Sequence, residues 1–447
     1  MNYEHIKSTI LIVLIALSVV LTWQLYTFQP EIALLDDTAR YVPSDSLLAE
    51  YEERKLKHVI KPEQMIVHQN NEHVMVPSHD ERFTKIYENL LRSNLSEIDL
   101  LATGPFPKEL ETGGVELIFP TAIPVDLFLS LFEQSEEEFM LALTEVDRLF
   151  LYGSPNGDVH MQILSIEEER VIELGTTLTS AELGLFLEPL DELIQVRPVL
   201  EPSSSYSTKL SADIYISTEP IQASRLSFQT SPLSTEFYKQ TLFTDPGSVK
   251  YYQQSDGEDS YTDGNRIITM QNNGLFMEYI NPVFIESQEK TSKHIVQGSY
   301  EFVNGHGGWS DDYLLAEWSS NDLRDEASFL LHVHGYPVLN FEGQGSMSLH
   351  ISRSGNQVVN YIRPLFELDN APIDVSERVD LPSGEEVLEH LNEQEFFDPE
   401  RLNKLVVGYE MVTRTTSFVT IEPHWFALYG NRWQKVTFEE GGTNGLE

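Results

Sequence analysis

The chain has 447 residues, which at roughly 150 residues per domain is enough for about three domains with sizeable cores. Its 71 acidic residues against 29 basic ones give a formal net charge of -42. This balance argues against binding to nucleic acid or anionic lipid, because phosphate recognition depends on clustered cations. The absence of cysteine excludes disulfides, cysteine-ligated metals and thiol nucleophiles. With 41% hydrophobic and 11% aromatic residues, the chain can still bury enough apolar surface to fold.

The first element along the chain is a stretch of 21 residues without a charge, from Ser8 to Phe28. As a helix it would be about 31 Å long, which matches the roughly 30 Å hydrocarbon core of a bilayer. Trp23 lies near its distal end, where aromatic rings favour the membrane interface, and Pro30 ends the helix. A cleaved signal peptide is the alternative, but no small-x-small cleavage site follows. The sequence therefore predicts a transmembrane signal anchor within residues 1–30.

Charge is distributed very unevenly about this stretch. Residues 1–30 contain one acidic residue, Glu4, and one basic residue, Lys7, so that 70 of the 71 acids and 28 of the 29 bases follow it. The bias of cations towards the cytoplasmic side is therefore small. We expect a single-pass protein of the cell membrane with a cytoplasmic amino terminus and with residues 31–447 on the extracytoplasmic side.

Small and hydroxylated side chains recur along one side of the predicted span. Alternating three- and four-residue steps place six residues on one helical stripe, namely Ser8, Leu11, Ile15, Ser18, Thr22 and Leu25. Such a stripe lets a partner helix approach closely and form hydrogen bonds, although Ser and Thr also bond to carbonyls of their own helix. We predict that these six residues contact a partner helix.

The soluble part begins with a juxtamembrane connector at residues 31–60 and an N-terminal α/β domain at residues 61–205. In that domain a capping box of Ser78 and Glu81 predicts the start of a helix. Alternation of apolar and polar residues predicts strands at Gln64–His68, Val74–Val76, Val115–Phe119, Arg148–Tyr152, Val159–Ile166 and Arg170–Leu174.

Two hairpins of similar sequence follow a serine-rich linker candidate at Pro198–Thr208. Each has two strands around a short turn of Asn, Gly or Ser and ends in Tyr-Ile-x-Pro, at Tyr279–Pro282 and at Tyr361–Pro364, 82 residues apart. A helix followed by Asp-Pro also occurs twice, before Asp245 and before Asp398. This recurrence predicts a duplication.

These patterns predict an α+β fold, in which a single N-terminal transmembrane helix precedes a multi-domain region of antiparallel sheets with helices. We expect a middle α+β module at residues 206–305 and a similarly built C-terminal α+β module at residues 306–447. The latter ends in a hairpin around Gly430 and Asn431 and a disordered tail.

No motif for catalysis or nucleotide binding occurs in the sequence. His332 and His334 would face one side of a strand, as a zinc site could use, but the apolar residues that alternate with them favour a structural strand. The acidic loop at residues 256–264 lacks EF-hand spacing and is typical of a hairpin loop, which leaves calcium binding there open. We predict no catalytic residue, no cofactor and no metal site. The alternatives are a wall- or ligand-binding sensor module and a hydrolase with an unrecognised site.

Short motifs along nearly the whole chain resemble those of a known family. They are Leu21–Trp23, Leu242–Pro246, Ser260–Gly264, Gly335–Pro337, Val359–Leu365, Leu381–Val387, Gly408–Tyr409 and Glu422–Trp425. On these motifs the chain resembles the YycH (WalH) family of Gram-positive bacteria. The resemblance implies an N-terminal domain followed by two similarly built modules, and a regulator rather than an enzyme.

The resemblance also implies partners. Members of this family cross the membrane once and, with the related protein YycI, bind the sensor histidine kinase WalK (YycG), which governs cell-wall metabolism. Their contacts are made largely through transmembrane helices. Members of the family differ in whether they restrain or activate the kinase, and Bacillus-type members restrain it. Restraint of a WalK-type kinase is therefore expected here, with no nucleic-acid partner.

Overall fold

The computed structural model describes residues 7, 11, 13–20, 53–69, 72–99, 105–108, 113–133, 141–187, 193–199, 214–254, 258–282, 293–343, 345–395, 397–415 and 417–438. These residues form sheets in which every strand pair but one is antiparallel, with a few short helices, which confirms the prediction of an α+β fold. Beyond the helical residues at the amino terminus, the α-helices are α1 (Glu81–Arg92), α2 (Val125–Ser130), α3 (Ser180–Leu187), α4 (Thr235–Leu242), α5 (Ile295–Gly305) and α6 (Gly384–Asn392).

A nine-stranded antiparallel sheet forms the amino-terminal half, in the order β3-β7-β6-β5-β4-β1-β2-β8-β9. Its strands are β1 (Gln64–Gln69), β2 (Glu72–Met75), β3 (Leu95–Asp99), β4 (Gly114–Pro124), β5 (Glu145–Gly153), β6 (Asp158–Ser165), β7 (Arg170–Thr179), β8 (Ile194–Val199) and β9 (Ile214–Ser217). The six predicted strands are among them. The central strands are buried almost without interruption, as expected of strands covered on both faces.

Helix α1 starts differently from the prediction. Its N-cap is Asp80, whose carboxylate accepts a hydrogen bond from the backbone N–H of Arg82 at 2.9 Å, and the predicted capping box of Ser78 and Glu81 is wrong. The reason is a turn, closed by the N–H of Asp80 on the carbonyl of Pro77 at 2.9 Å, which keeps Ser78 outside the helix.

The linker candidate is described only at its start. Pro198 and Val199 are the last residues of β8, where they pair with Tyr215 and Ile214 of β9, and residues 200–208 lie outside the described residues. Strand β9 therefore joins residues that follow the linker candidate to the amino-terminal sheet.

A second sheet of fifteen strands follows, in the order β11-β12-β13-β14-β19-β18-β16-β17-β22-β23-β10-β20, with β15 on β16, β21 on β10 and β24 on β23. Its strands are β10 (Ile221–Pro232), β11 (Lys250–Gln253), β12 (Asp259–Thr262), β13 (Ile267–Gln271), β14 (Phe276–Ile280), β15 (Tyr313–Ser320), β16 (Asp325–Val333), β17 (Tyr336–Phe341), β18 (Ser348–Ser354), β19 (Gln357–Pro364), β20 (Phe366–Leu368), β21 (Asp374–Leu381), β22 (Leu402–Thr415), β23 (Phe418–Tyr429) and β24 (Arg432–Lys435). Strands from both predicted modules thus share one sheet.

The two similar hairpins, β13–β14 and β18–β19, are confirmed and lie side by side in this sheet. Strand β14 pairs antiparallel with β19, and Tyr279 stands directly opposite Tyr361. Since these two tyrosines are equivalent in the repeat, the hairpins are related by a local two-fold axis at this pair.

The two Asp-Pro motifs also fold alike. Each aspartate caps a single 3-10 turn that follows a helix, with Asp245 accepting from the N–H of Gly247 and Asp398 from the N–H of Glu400. The strands that precede the two helices, β10 and β21, pair with one another. The C-terminal hairpin is likewise confirmed as β23–β24, with positive φ at Gly430 and Asn431.

The two sheets share a hydrophobic core. One continuous cluster of buried residues extends from Val59 through the nine-stranded sheet to Ile421 in β23. At the junction the indole N–H of Trp318 in β15 donates to the carbonyl of Ala122 in β4 at 2.7 Å. The two halves are therefore held together by packing and by hydrogen bonds.

Candidate functional site

The predicted partner-contact stripe lies in the amino-terminal segment. Residues 7, 11 and 13–20 are described there and are helical, and Leu11, Ile15 and Ser18 share one face because they are four and three residues apart. All three are exposed. The other stripe residues, Ser8, Thr22 and Leu25, lie outside the described residues, and contact with a partner helix stays a prediction.

The same segment is apolar on its other faces. Its large apolar side chains are between 52% and 63% exposed, at Leu11, Val13, Leu14, Ile15, Leu17, Val19 and Val20. A helix that is hydrophobic all round is normally covered by protein or lipid. Within the described part of the chain, no helix combines the length and the apolar character needed to cross a bilayer.

The end of the segment predicted to be a juxtamembrane connector is anchored in the folded body. Val59 and Ile60 have no exposed surface, and the carbonyl of Val59 accepts a hydrogen bond from the N–H of Leu315 at 2.8 Å. The carbonyl of Arg54 accepts from the hydroxyl of Tyr300 on α5 at 2.6 Å. The connector therefore ends in contacts with the second sheet and α5.

A cavity of about 330 Å³ lies where the two sheets meet. The nine-stranded sheet contributes wall residues from β1, β2, β4, β8 and β9, and the second sheet contributes residues from β15 to β18 and β22 to β24. Most of the wall is apolar or aromatic, with Met75, Tyr215, Leu330, Tyr336, Trp425 and Trp433 among its residues. Concave, mostly apolar sites with a few polar groups are where proteins usually bind small molecules.

An ion pair crosses the junction beside this cavity. The ammonium of Lys404 lies 2.9 and 3.0 Å from the two carboxylate oxygens of Glu63 and 2.8 Å from the carbonyl oxygen of Pro120. Each of its three protons therefore has an acceptor. The two opposite charges cancel, and the pair joins β22 to the residue that precedes β1.

His332 supplies the cavity with a free hydrogen-bond acceptor. Its Nδ1 lies 2.9 Å from the carbonyl oxygen of Leu330, and because a carbonyl only accepts, Nδ1 carries the proton. Burial lowers the pKa of His332, which favours the neutral ring. Its Nε2 makes no hydrogen bond to any described residue and is left as an acceptor.

A buried polar cluster in the nine-stranded sheet was missed by the sequence analysis. Glu116 in β4 is fully buried and accepts from Arg148 at 2.9 Å, from His68 at 2.9 Å and from the hydroxyl of Tyr215 at 2.8 Å. Burial raises the pKa of Glu116, but the bonds from His68 and Arg148 outweigh it and hold the pKa below its ordinary value. The available signal was one acid inside an otherwise apolar strand.

Tyr215 gives this cluster a structural role. It lies on β9, which follows the linker candidate, and the other three residues of the cluster lie on β1, β4 and β5. The cluster therefore binds the second half of the chain to the first sheet through a charge-assisted hydrogen bond.

The two histidines considered for zinc do not share a strand face. Strand β16 ends at Val333, and His334 occupies the following turn with a φ of 49°. The prediction that His332 and His334 face one side of the same strand is therefore wrong, because a two-residue turn before β17 ends the strand ahead of His334. Among the described residues no group of three His, Asp or Glu side chains could hold a metal ion.

The acidic loop is partly described. Asp259 accepts from the hydroxyl of Tyr251 at 2.5 Å, and Asp263 accepts from the N–H groups of Asn265 and Arg266 at 2.9 and 2.8 Å. Residues 255–257 lie outside the described residues. The carboxylates of Asp259 and Asp263 are thus engaged in hairpin hydrogen bonds.

Two family models together match nearly the whole chain. Residues 4–193 match the family model described as YycH protein, N-terminal domain, and residues 211–442 match YycH protein, C-terminal domain. A curated relative of Bacillus subtilis (strain 168), named two-component system WalR/WalK regulatory protein YycH, is 22% identical over 472 aligned residues, which cover 100% of both chains.

A solved structure is similar as well. The crystal structure of YycH from Bacillus subtilis has a TM-score of 0.68 and 17% identity to this chain, and the match covers 87% of this chain and 98% of that one. This likeness shows a common fold. Since the two family models together account for both sheets and the amino-terminal segment, the chain belongs to the YycH family.

Proposed function

We propose that the chain is a non-enzymatic regulator of the WalK/WalR two-component system, which binds the sensor kinase WalK (YycG) together with a YycI-type protein and restrains it. The observation that carries this proposal is the similarity, over 100% of both chains, to a protein named as a WalR/WalK regulator. Control of cell-wall metabolism is the expected output of such a regulator.

The proposal includes a single membrane span at the amino terminus, with residues 31–447 outside the cytoplasm. Its support is the uncharged stretch from Ser8 to Phe28 and the exposure of the apolar helical residues 13–20. Contact with water is unfavourable for such an apolar surface, whereas contact with lipid or with a partner helix is favourable.

The proposed mechanism is a population shift. A helix that packs better on one kinase state than on the other biases the kinase by that difference, and about 1–3 kcal/mol is enough. The stripe of Leu11, Ile15 and Ser18 would make this contact. The buried end of the connector at Val59 and Ile60 would couple the span to the extracytoplasmic body.

We retain the proposed division of that body into residues 61–205, 206–305 and 306–447. Its support is the nine-stranded sheet, which contains every described strand of residues 61–205 and takes only β9 from the later residues, and the repeat of hairpin and Asp-Pro turn in those later residues.

The first experiment is a pull-down from membranes that contain a WalK-type kinase and a YycI-type protein. Full-length chain and a chain without residues 1–30 are compared as bait. Capture of the kinase by the full-length chain alone supports contact through the span, and capture by both moves the main interface to the extracytoplasmic body. Capture by neither contradicts the proposed function.

A variant pair then tests the stripe. The double change Ser18→Leu, Thr22→Leu places bulk on the stripe, and Val13→Leu, Val20→Leu places bulk on the opposite face of the same helix. We expect the first pair to raise kinase output, because restraint is lost, and the second to leave it unchanged. Equal kinase output from both variants at equal membrane insertion contradicts contact through the stripe.

A sensor module that binds a ligand is the second candidate function, and it is compatible with the first. The cavity at the junction of the two sheets favours it.

A further inference from the structure

We propose that the cavity at the junction of the two sheets binds a neutral, mostly apolar small molecule that carries one O–H or N–H donor, which hydrogen-bonds to Nε2 of His332. This binding site does not depend on contact with a kinase, so it can be tested separately from the proposed function.

Size and wall composition indicate a compact apolar ligand. A volume of about 330 Å³ is at the lower end of the range of roughly 300–1,000 Å³ found for small-molecule sites. Tyr336, Trp425 and Trp433 present aromatic surface to the cavity, and Met75 adds a flexible apolar side chain that can adapt to a ring.

The charges of the wall argue for a neutral ligand. Lys404 and Glu63 satisfy one another, so neither offers an unpaired charge to an occupant. Glu317 is the other charged wall residue, and it is exposed and negative. An anion would meet this carboxylate and a chain of net charge -42, and a charge buried without a partner is costly.

His332 and Tyr336 are two of the wall residues with a polar atom that makes no hydrogen bond to any described residue, and both can bind a ligand by hydrogen bonding. The Nε2 of His332 accepts only, because Nδ1 holds the proton against the carbonyl of Leu330. The hydroxyl of Tyr336 makes no hydrogen bond to any described residue and can donate or accept. A ligand O–H or N–H would satisfy Nε2, which an ether or a hydrocarbon cannot do.

Occupancy would strengthen the junction between the halves of the chain. The ligand would touch both sheets, and by mass action it stabilises the arrangement to which it binds. Leu315 lines the cavity and also bonds to Val59 at the end of the connector. If the proposed function holds, the site is placed to influence the membrane-proximal connector.

The test uses the full chain in lipid nanodiscs, with empty nanodiscs as the blank, and titration calorimetry with three probes. 2-Naphthol is neutral and has a donor, 2-methoxynaphthalene lacks the donor, and 2-naphthoate is an anion. We expect 2-naphthol to bind at one site per chain, and each of the other two to bind about tenfold more weakly, since one hydrogen bond contributes about 1 kcal/mol or somewhat more.

Matched variants assign the binding to the cavity. Ala316 lines the cavity and is half-buried, so that Ala316→Trp obstructs the site, whereas Leu323→Trp places the same indole side chain at an exposed turn. We expect Ala316→Trp to lose 2-naphthol binding and Leu323→Trp to retain it. Equal binding by these two variants overturns the site.

A second pair of variants tests the acceptor and serves if Ala316→Trp fails to fold. His332→Phe keeps the ring and removes Nε2, and His390→Phe changes a histidine on α6 that bonds to the carbonyl of Thr437. We expect His332→Phe alone to reduce 2-naphthol affinity to that of 2-methoxynaphthalene. Unchanged affinity in His332→Phe, or tighter binding of 2-naphthoate than of 2-naphthol, overturns the proposed ligand class.

Discussion

The two Tyr-Ile-x-Pro hairpins have nearly the same sequence pattern and reach different environments. In the second, Arg363 has no exposed surface and donates to the carbonyl of Gly308 at 3.3 Å and to the hydroxyl of Tyr361 at 3.1 Å. At the equivalent position of the first, Asn281 is half-buried and bonds to the carbonyl of Val358 at 3.2 Å.

The helices explain this difference. Tyr238 of α4 lies over the guanidinium of Arg363, with 4.9 Å between the ring centroid and the guanidinium carbon, and Phe302 of α5 packs edge-on against Tyr361. After the first hairpin Pro282 is exposed, whereas Pro364 after the second is buried. One motif can therefore serve as a surface strand in one copy and as the centre of a core in the other.

The largest expected effect is at Arg363. Arg363→Ala should lower the free energy of unfolding by about 3 kcal/mol or more, because it leaves a cavity and several buried acceptors without a donor. Asn281→Ala should cost less than about 1 kcal/mol. Urea unfolding of the full chain, followed by tryptophan fluorescence to which the buried Trp309 contributes, measures the free energy of unfolding of both variants. Equal losses of stability in the two variants would contradict the difference between the two hairpins.

An aspartate lies beside each hairpin, and we expect the two carboxyl groups to change the stability of the chain with pH in opposite directions. Burial raises the pKa of Asp311, near the second hairpin, to about 6, so the folded state binds more protons than the unfolded state between about pH 4 and 6, and stability falls as pH rises through this window. Asp311→Asn should therefore stabilise the chain at pH 7 by about 2 kcal/mol.

Asp263, beside the first hairpin, provides the contrast. Burial raises its pKa, but hydrogen bonds from the N–H groups of Arg266 and Asn265 outweigh burial and lower it. Its stabilisation is therefore present above about pH 4 and lost as pH falls. Melting temperatures are measured from pH 4 to 8. At the upper end of this range Asp311→Asn should melt at a higher temperature than the unaltered chain, and Asp263→Asn at a slightly lower one. Curves that run parallel for the two variants and the unaltered chain would refute the opposite effects assigned to Asp311 and Asp263.

A smaller effect is expected at the tyrosines that face one another. Tyr361→Phe removes one of the acceptors of Arg363 and should cost about 1–2 kcal/mol, since the lost hydrogen bond involves a charged group. The hydroxyl of Tyr279 makes no hydrogen bond to the described residues, and Tyr279→Phe should be close to neutral. The same urea titration separates the two variants.

The smallest effect is expected at the seam between the hairpins. Glu278 accepts from Asn360 across the seam at 2.8 Å and from Gln271 within its own hairpin at 2.7 Å. Asn360→Ala should cost about 0.5–1 kcal/mol, comparable with other cross-strand pairs. A loss as large as that of Arg363→Ala would show that the seam, and not the core beneath the second hairpin, limits stability.

Local structure could be predicted well from this sequence. Hairpins depend on alternation and on turn residues that accept positive φ, such as Asn272, Asn273 and Gly274, and these signals lie within a few residues of the strands they join. The start of α1 was misplaced by two residues, because Ser78 and Asp80 are both good caps and only the turn from Pro77 decides between them.

Long-range pairing could not be predicted in the same way. No local sequence signal shows that β14 pairs with β19 or that β9 joins the other sheet. The same holds for the contacts of Glu116 with His68, Arg148 and Tyr215, which are between 32 and 99 positions away in the sequence. The cavity depends on the same long-range packing. His332 could be named from sequence, and the carbonyl of Leu330 that fixes its proton is only two residues away, but its position in the cavity wall depends on the long-range packing of the two sheets.

The pairing of Tyr279 with Tyr361 has a consequence for the history of the molecule. An antiparallel strand that meets its own equivalent around one central residue is the geometry of an isologous homodimer. Duplication and fusion of a self-associating ancestor would leave this seam inside one chain, where assembly no longer depends on concentration. After such a fusion the two copies would be free to differ, as Asn281 and Arg363 do at equivalent positions.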